Sequence, residues 1–184
     1  MTIIKRISII LLAVTLLFLS ACSGKSNDEE SMPEGTKKAA NEAVDYYFYY
    51  PSNWVLDRND GMISIRYNTS LSSKFETYAS VSVISFTLSN PNQRVNEYWE
   101  ENVDDIKQTF GVEDIYAEKE TTLSGVVAAR KEYKGSLGDT AVNFAQIICI
   151  RKGVVYLVTF TASEADYNAT VGAFETVIGN FHFE

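Results

Sequence analysis

Histidine and cysteine are nearly missing from this chain. One histidine (His182) and two cysteines (Cys22 and Cys149) occur in 184 residues. A zinc site of the usual kind needs about four Cys or His ligands, so that class is excluded. So is a disulfide framework, and none is needed at this length, because a domain of this size buries most of its unfolded surface. A triad using histidine would have to use His182, which is flanked by Phe181 and Phe183 and reads as structural. Positive charge is also scarce: 16 Lys and Arg face 24 Asp and Glu, a net charge of -8. Nucleic acid is therefore not an expected partner, since phosphate neutralisation needs clustered cations. No glycine-rich phosphate loop appears.

What is present begins at the first residue. Lys5 and Arg6 precede a nearly continuous apolar run over 7–19, the length of a secretory core and short for a membrane span. Leu19-Ser20-Ala21-Cys22 follows, a branched apolar residue and two small ones before a thiol, the pattern of a bacterial lipoprotein signal. The expectation is a signal over 1–21 and a lipidated Cys22 as first mature residue. The lipid, inserting at about 0.8 kcal/mol per methylene, would hold the protein on the extracytoplasmic side of the cell membrane. Residues 22–43 are mostly small and polar and read as a flexible tether, with a short helix possible near 37–44.

Residues 44–184 read as one α+β domain. The aromatic run Tyr46-Tyr47-Phe48-Tyr49-Tyr50 favours a strand, broken by Pro51. Strands are expected over 54–56, 62–67 and 78–88, with Asn59-Asp60-Gly61 as a hairpin turn. Asn90 and Pro91 suit the start of a helix carrying Val95, Trp99, Val103, Ile106 and Phe110 on one stripe, stopped by Gly111. Strands follow over 115–122, 126–133, 141–151 and 154–162, with 135–140 as a loop. A last helix from Ser163 carries Tyr167, Val171, Phe174 and Ile178, and 181–183 is a short edge strand. Short turns imply an antiparallel sheet. The long strands are apolar on both faces, so helices are expected on both sides: an α/β/α sandwich.

Tyr49-Tyr50-Pro51-Ser52-Asn53-Trp54 resembles the Tyr-Pro-x-x-Trp opening of PsbP-like domains. Ala128 to Tyr133, the Lys152-Gly153 turn, the strand Val155-Tyr156-Leu157-Val158-Thr159-Phe160-Thr161-Ala162 and the helix ending Phe174-Glu175-Thr176-Val177-Ile178 are similar to the closing part of the same family. The resemblance implies a central antiparallel sheet with helices on both faces, an architecture shared with Ran-binding Mog-type proteins. The family includes extrinsic photosystem subunits and many bacterial lipoproteins. It implies no functional residue here.

The remaining candidates have plain readings. Cys149 lies in an apolar strand and behaves as a small buried hydrophobe. Asp57 to Gly61 has acidic residues but places its glycine one position early for a calcium loop. Glu100, Glu101, Asp104 and Asp105 form a solvated helix face. The serines and threonines have no His or Lys partner in local sequence, and Lys131 and Lys134 stay open only as long-range partners. Tyr47 and Tyr49 lie on one face of their strand and are the candidate binding surface, since tyrosine is enriched at interfaces. The expected function is a non-enzymatic binding or assembly domain without metal or cofactor, held to the membrane by its lipid and meeting a protein partner in the envelope. The alternative is a small-ligand or metal-ion carrier using a pocket between sheet and helix.

Overall fold

The computed structural model describes residues 32–59, 62–67 and 79–184. The signal over 1–21, Cys22, the tether up to residue 31 and the turn residues Asp60 and Gly61 lie outside the described residues.

Two antiparallel sheets form. The smaller contains β1 (Thr36–Ala40), β2 (Tyr46–Pro51) and β10 (Phe181–Phe183), in the order β1-β2-β10. The larger contains β3 (Trp54–Asn59), β4 (Met62–Tyr67), β5 (Ala79–Thr87), β6 (Ile115–Leu123), β7 (Val126–Leu137), β8 (Thr140–Arg151) and β9 (Val154–Ser163). Its order is β3-β4-β5-β9-β8-β7-β6. Among the described residues two helices accompany the sheets, α1 (Val95–Phe110) and α2 (Tyr167–Gly179). The expected α+β class with an antiparallel sheet is what forms. The second sheet was not expected. Its strand β1 falls in a stretch read as tether or helix, and pairs with β2 from Thr36 opposite Pro51 to Ala40 opposite Tyr47. Ala39 is fully buried there, so one apolar side chain and a ladder of backbone hydrogen bonds offset the polar composition.

Alternation along β8 divides the core. Ala145, Ile147 and Cys149 join a cluster with Ile63, Val81, Val158 and Phe160, packed against Tyr46 and Phe48 of β2 and Phe174 and Val177 of α2. Phe144 and Ile148 join a second cluster, packed against Tyr98 and Trp99 of α1. Burial of the Cys149 thiol pushes its pKa up to about 11, so it stays protonated and inert.

The position of α1 depends on two glycines. Gly153, at the β8–β9 turn with φ 76°, lies so close to Pro91 that a Cβ would meet the proline Cβ at 2.9 Å. Gly135 lies against the other end of α1, where a Cβ would meet the Phe110 carbonyl oxygen at 2.5 Å. Sequence punctuation reads Gly135 as the start of a loop. It is instead inside β7, where the missing side chain admits a helix end. Asn90 also differs from expectation. Its Oδ1 accepts from the Asn92 N–H in a turn before the helix. The helix itself begins at Val95, with the Glu97 carboxylate accepting from the Arg94 N–H at 2.9 Å.

Candidate functional site

Helix α1 contacts β7 and β8 of the large sheet. Beyond its edge, on the same side, a cleft of about 680 Å³ opens over β4, β5 and β9. Ile106 and Phe110 of α1 overhang it. Its floor is set by strand register. One cross-strand row is apolar: Met62 pairs with Ile84, and Ile84 with Leu157. The next row is polar across the whole sheet. Asp57 pairs with Ser64, Ser64 with Ser82, and Ser82 with Thr159. Thr159 pairs with Gln146, Gln146 with Lys131, and Lys131 with Glu118. A third row is mixed: Arg66, Ser80, Thr161 and Phe144.

Gln146 is the critical member of the polar row. It is 8% exposed, and its Nε2 donates to Thr159 Oγ1 at 3.0 Å. Its Oε1 is buried and has no hydrogen-bond partner, which holds for no other buried side-chain atom among the described residues. Turning the amide over gives no relief. Oε1 would then accept from the Thr159 hydroxyl, but the amino group would face the same unfilled position. The one cation beside it is committed elsewhere. Lys131, with a side chain 7% exposed, donates to Glu118 at 2.7 Å and lies 4.7 Å from the Trp99 ring centroid. A buried acceptor without a donor costs about 1–3 kcal/mol, and such a group in a native fold requires an explanation.

The cleft offers binding groups rather than reactive ones. Its hydroxyls come from Ser64, Ser80, Ser82, Thr159 and Thr161. Tyr133 is on the lining, and burial pushes its phenol up to about 12, so it is no base at neutral pH. Among the described residues no group of three His, Cys, Asp or Glu side chains could hold a metal ion. A second hollow of about 650 Å³ lies near the start of α1, lined by Arg94, Lys131 and Glu118 among others, and these three charges are in ion pairs.

The residues singled out from sequence lie elsewhere. Tyr47 and Tyr49 share the side of β2 opposite Phe48. Tyr49 is 5% exposed, while Tyr47 is half-buried, stacked on His182 at 4.8 Å with Lys38 Nζ 3.7 Å from its ring centre. His182 thus packs between aromatics, 6.0 Å edge-on from Tyr49. Asp57 is exposed on the β3–β4 hairpin. Glu100, Glu101, Asp104 and Asp105 are exposed on α1. Lys134 pairs with Glu164 at 2.6 Å. Sequence reading missed Gln146, Ser82 and Arg66. Ser82 and Arg66 carried only the alternation of an ordinary solvent face, and Gln146 was a single polar residue between apolar ones.

No protein-family model and no curated protein matches this sequence. Solved structures do match. The cyanobacterial PsbP (CyanoP) of Synechocystis sp. PCC 6803 aligns at 16% identity and TM-score 0.57, over 90% of this chain and 99% of that one. LpqN of Mycobacterium tuberculosis, described as involved in cell envelope biogenesis, aligns at 13% and 0.59, over 79% and 90%. A point mutant of the protein Mog1 aligns at 14% and 0.56, over 80% and 95%. The fold is therefore the PsbP-like and Mog-type fold expected from the motifs.

Proposed function

We propose that this chain is a lipid-anchored, extracytoplasmic, non-enzymatic binding protein whose ligand occupies the cleft between α1 and the large sheet. The carrying observation is Gln146 Oε1, a buried acceptor without a donor in a cleft of about 680 Å³. Ligand pockets are usually about 300–1,000 Å³ and mostly apolar with a few placed polar groups, which describes this cleft. This reading selects the small-ligand form of the binding module. We read the layers as an α/β/α sandwich, with α1 on one face of the large sheet and α2 on the other. The cleft then forms where α1 leaves its face partly uncovered.

The anchor reading rests on the sequence around Cys22, and the envelope role reported for LpqN is in keeping with it. A protein in the envelope is the proposed source or recipient of the ligand. Two experiments test these statements. Palmitate labelling of the full chain should mark the membrane-bound protein and be lost in Cys22→Ala. Native mass spectrometry after incubation with envelope extract should show a small-molecule adduct that is lost in Ser82→Trp, which fills the cleft. An adduct that survives in Ser82→Trp, or no adduct on either protein, overturns the site.

A further inference from the structure

We propose that the ligand of this cleft is an amphipathic anion: an apolar body carrying a neutral N–H or O–H donor and, at one end, a carboxylate, sulfonate or phosphate. The proposal rests on the reading of the cleft as a binding site and adds the class of molecule.

With its amide oriented as in this structure, Gln146 calls for a donor. Oε1 is an acceptor, and the amide's own Nε2 is spent on Thr159. A ligand that brings only an acceptor to this point leaves the orphan in place, at a cost that a donor removes. The apolar body follows from what surrounds the polar row. Ile84 and Leu157 flank it on one side and Phe144 on the other, with Ile106 and Phe110 overhanging. The polar floor is thus bordered by an apolar row on one side and overhung by apolar side chains of α1.

The anion follows from Arg66. The chain is acidic, with a net charge of -8, and three other guanidiniums among the described residues are in ion pairs. Arg94 pairs with Glu97, Arg130 with Glu132 and Glu175, and Arg151 with Asp45. Arg66 is exposed on the lining of the cleft and pairs with no carboxylate among the described residues. The nearest acid in the sheet register is Asp57, on the adjacent strand opposite Ser64. Arg66 therefore offers a fork for a planar anion, weakened by Asp57.

Strand order supplies the length. Gln146 on β8 and Arg66 on β4 are separated by β9 and β5. Three inter-strand steps at about 4.8 Å span about 14 Å. The arginine side chain reaches inward across part of that distance. Donor and anion on the ligand are thus separated by several bonds, with the apolar body lying across the strands.

The test uses 8-anilinonaphthalene-1-sulfonate, an apolar body of two aromatic ring systems with a sulfonate. Fluorescence titration of the full chain should show one saturable site that disappears in Ser82→Trp. Displacement is then compared for 10-hydroxydecanoate (donor and anion at opposite ends of an apolar chain), decane-1,10-diol (donor, no charge) and decanoate (anion, no donor). The first should displace the probe at a concentration at least tenfold below either of the others. Gln146→Leu should remove the advantage over decanoate, and Arg66→Gln the advantage over the diol. Asp57→Asn should tighten both anions. A probe site that Ser82→Trp removes, with the three competitors equal or unchanged by the two variants, overturns the ligand class and leaves the cleft standing. A probe that does not bind, or that Ser82→Trp does not disturb, overturns both.

Discussion

The two sides of β8 follow different rules, although they share every backbone atom. Ala145, Ile147 and Cys149 point into a cluster closed by Tyr46, Phe48 and Phe174, and all three are at most 1% exposed. Phe144, Gln146 and Ile148 point to the side of α1, and the middle residue is an amide with an orphan oxygen. Residues of the second sheet and of α2 pack in the first cluster. Residues of α1, which contacts β7 and β8, pack in the second. Full cover demands apolar surface, because unpaired polar groups are expensive without water. Partial cover tolerates a polar row, and it is there that a ligand can complete the packing.

The sharpest way to break this contrast is to carry the polar rule onto the closed side. Ile147→Gln would place an amide among Val158, Cys149 and Phe160. It loses the transfer energy of a buried isoleucine and adds unmet polar groups, about 3–5 kcal/mol together. Urea unfolding should show that loss in the midpoint. A loss below about 1 kcal/mol would mean that this side is open to water after all.

Next in size is the placement of α1. In Gly135→Ala the new methyl would meet the Phe110 carbonyl oxygen at 2.5 Å. Relieving that contact should cost about 1–3 kcal/mol and move the overhanging end of α1. Thermal unfolding reads the first effect and probe affinity in the cleft the second. If stability falls with affinity unchanged, Phe110 is not a wall of the site.

The two sides also differ in their buried phenols. Burial raises Tyr133 on the α1 side to about 12, from an ordinary value of 10.0. On the closed side Tyr46 is raised by burial and further by Asp45 and Tyr156, and its hydroxyl donates to the Val83 carbonyl at 3.0 Å. A folded pKa above the unfolded one means that the stabilisation is complete below pH 10.0 and is lost as pH rises through the folded value. Tyr133→Phe should flatten the alkaline decline by about 1.4 kcal/mol per pH unit between those limits. It should be close to neutral at pH 7. Tyr46→Phe should flatten the decline too, but it should also cost stability at pH 7, because the Val83 carbonyl loses its donor. Equal behaviour of the two variants at pH 7 would remove the distinction.

Much of the fold was legible. Alternating apolar residues located β4 and β5, apolar runs on either side of Lys152-Gly153 located β8 and β9, and the 3.6-residue stripe located α1. What failed has physical reasons. Gly135 read as a loop because close backbone approach leaves no trace in one segment's own sequence. Thr36 to Ala40 read as tether because its strand is held mainly by β2, a partner that local composition does not name. The cleft was the least legible part. Ser64, Ser82, Thr159 and Gln146 come from four strands, and only register aligns them in one row. Tyr47 and Tyr49 drew notice instead because aromatic residues are conspicuous in sequence and an orphan acceptor is not.

The smallest expected effect carries the most meaning for the site. Gln146→Leu fills a similar volume and removes the orphan Oε1 together with the bond to Thr159 Oγ1. Losing the bond costs about 1 kcal/mol, and removing the unmet acceptor returns about 1–3 kcal/mol. Thr159 keeps its own hydroxyl hydrogen and lies in the open trough, where water can reach it. The balance lies between neutral and about 2 kcal/mol more stable, so one strand should give opposite signs at neighbouring residues 146 and 147. Urea midpoints for the two variants, measured side by side, decide this. A Gln146→Leu protein that is less stable by more than about 1 kcal/mol would mean that the amide is a satisfied structural member. A stable variant that has lost selectivity for ligand donors would mean that the orphan oxygen is retained, against stability, for what it binds.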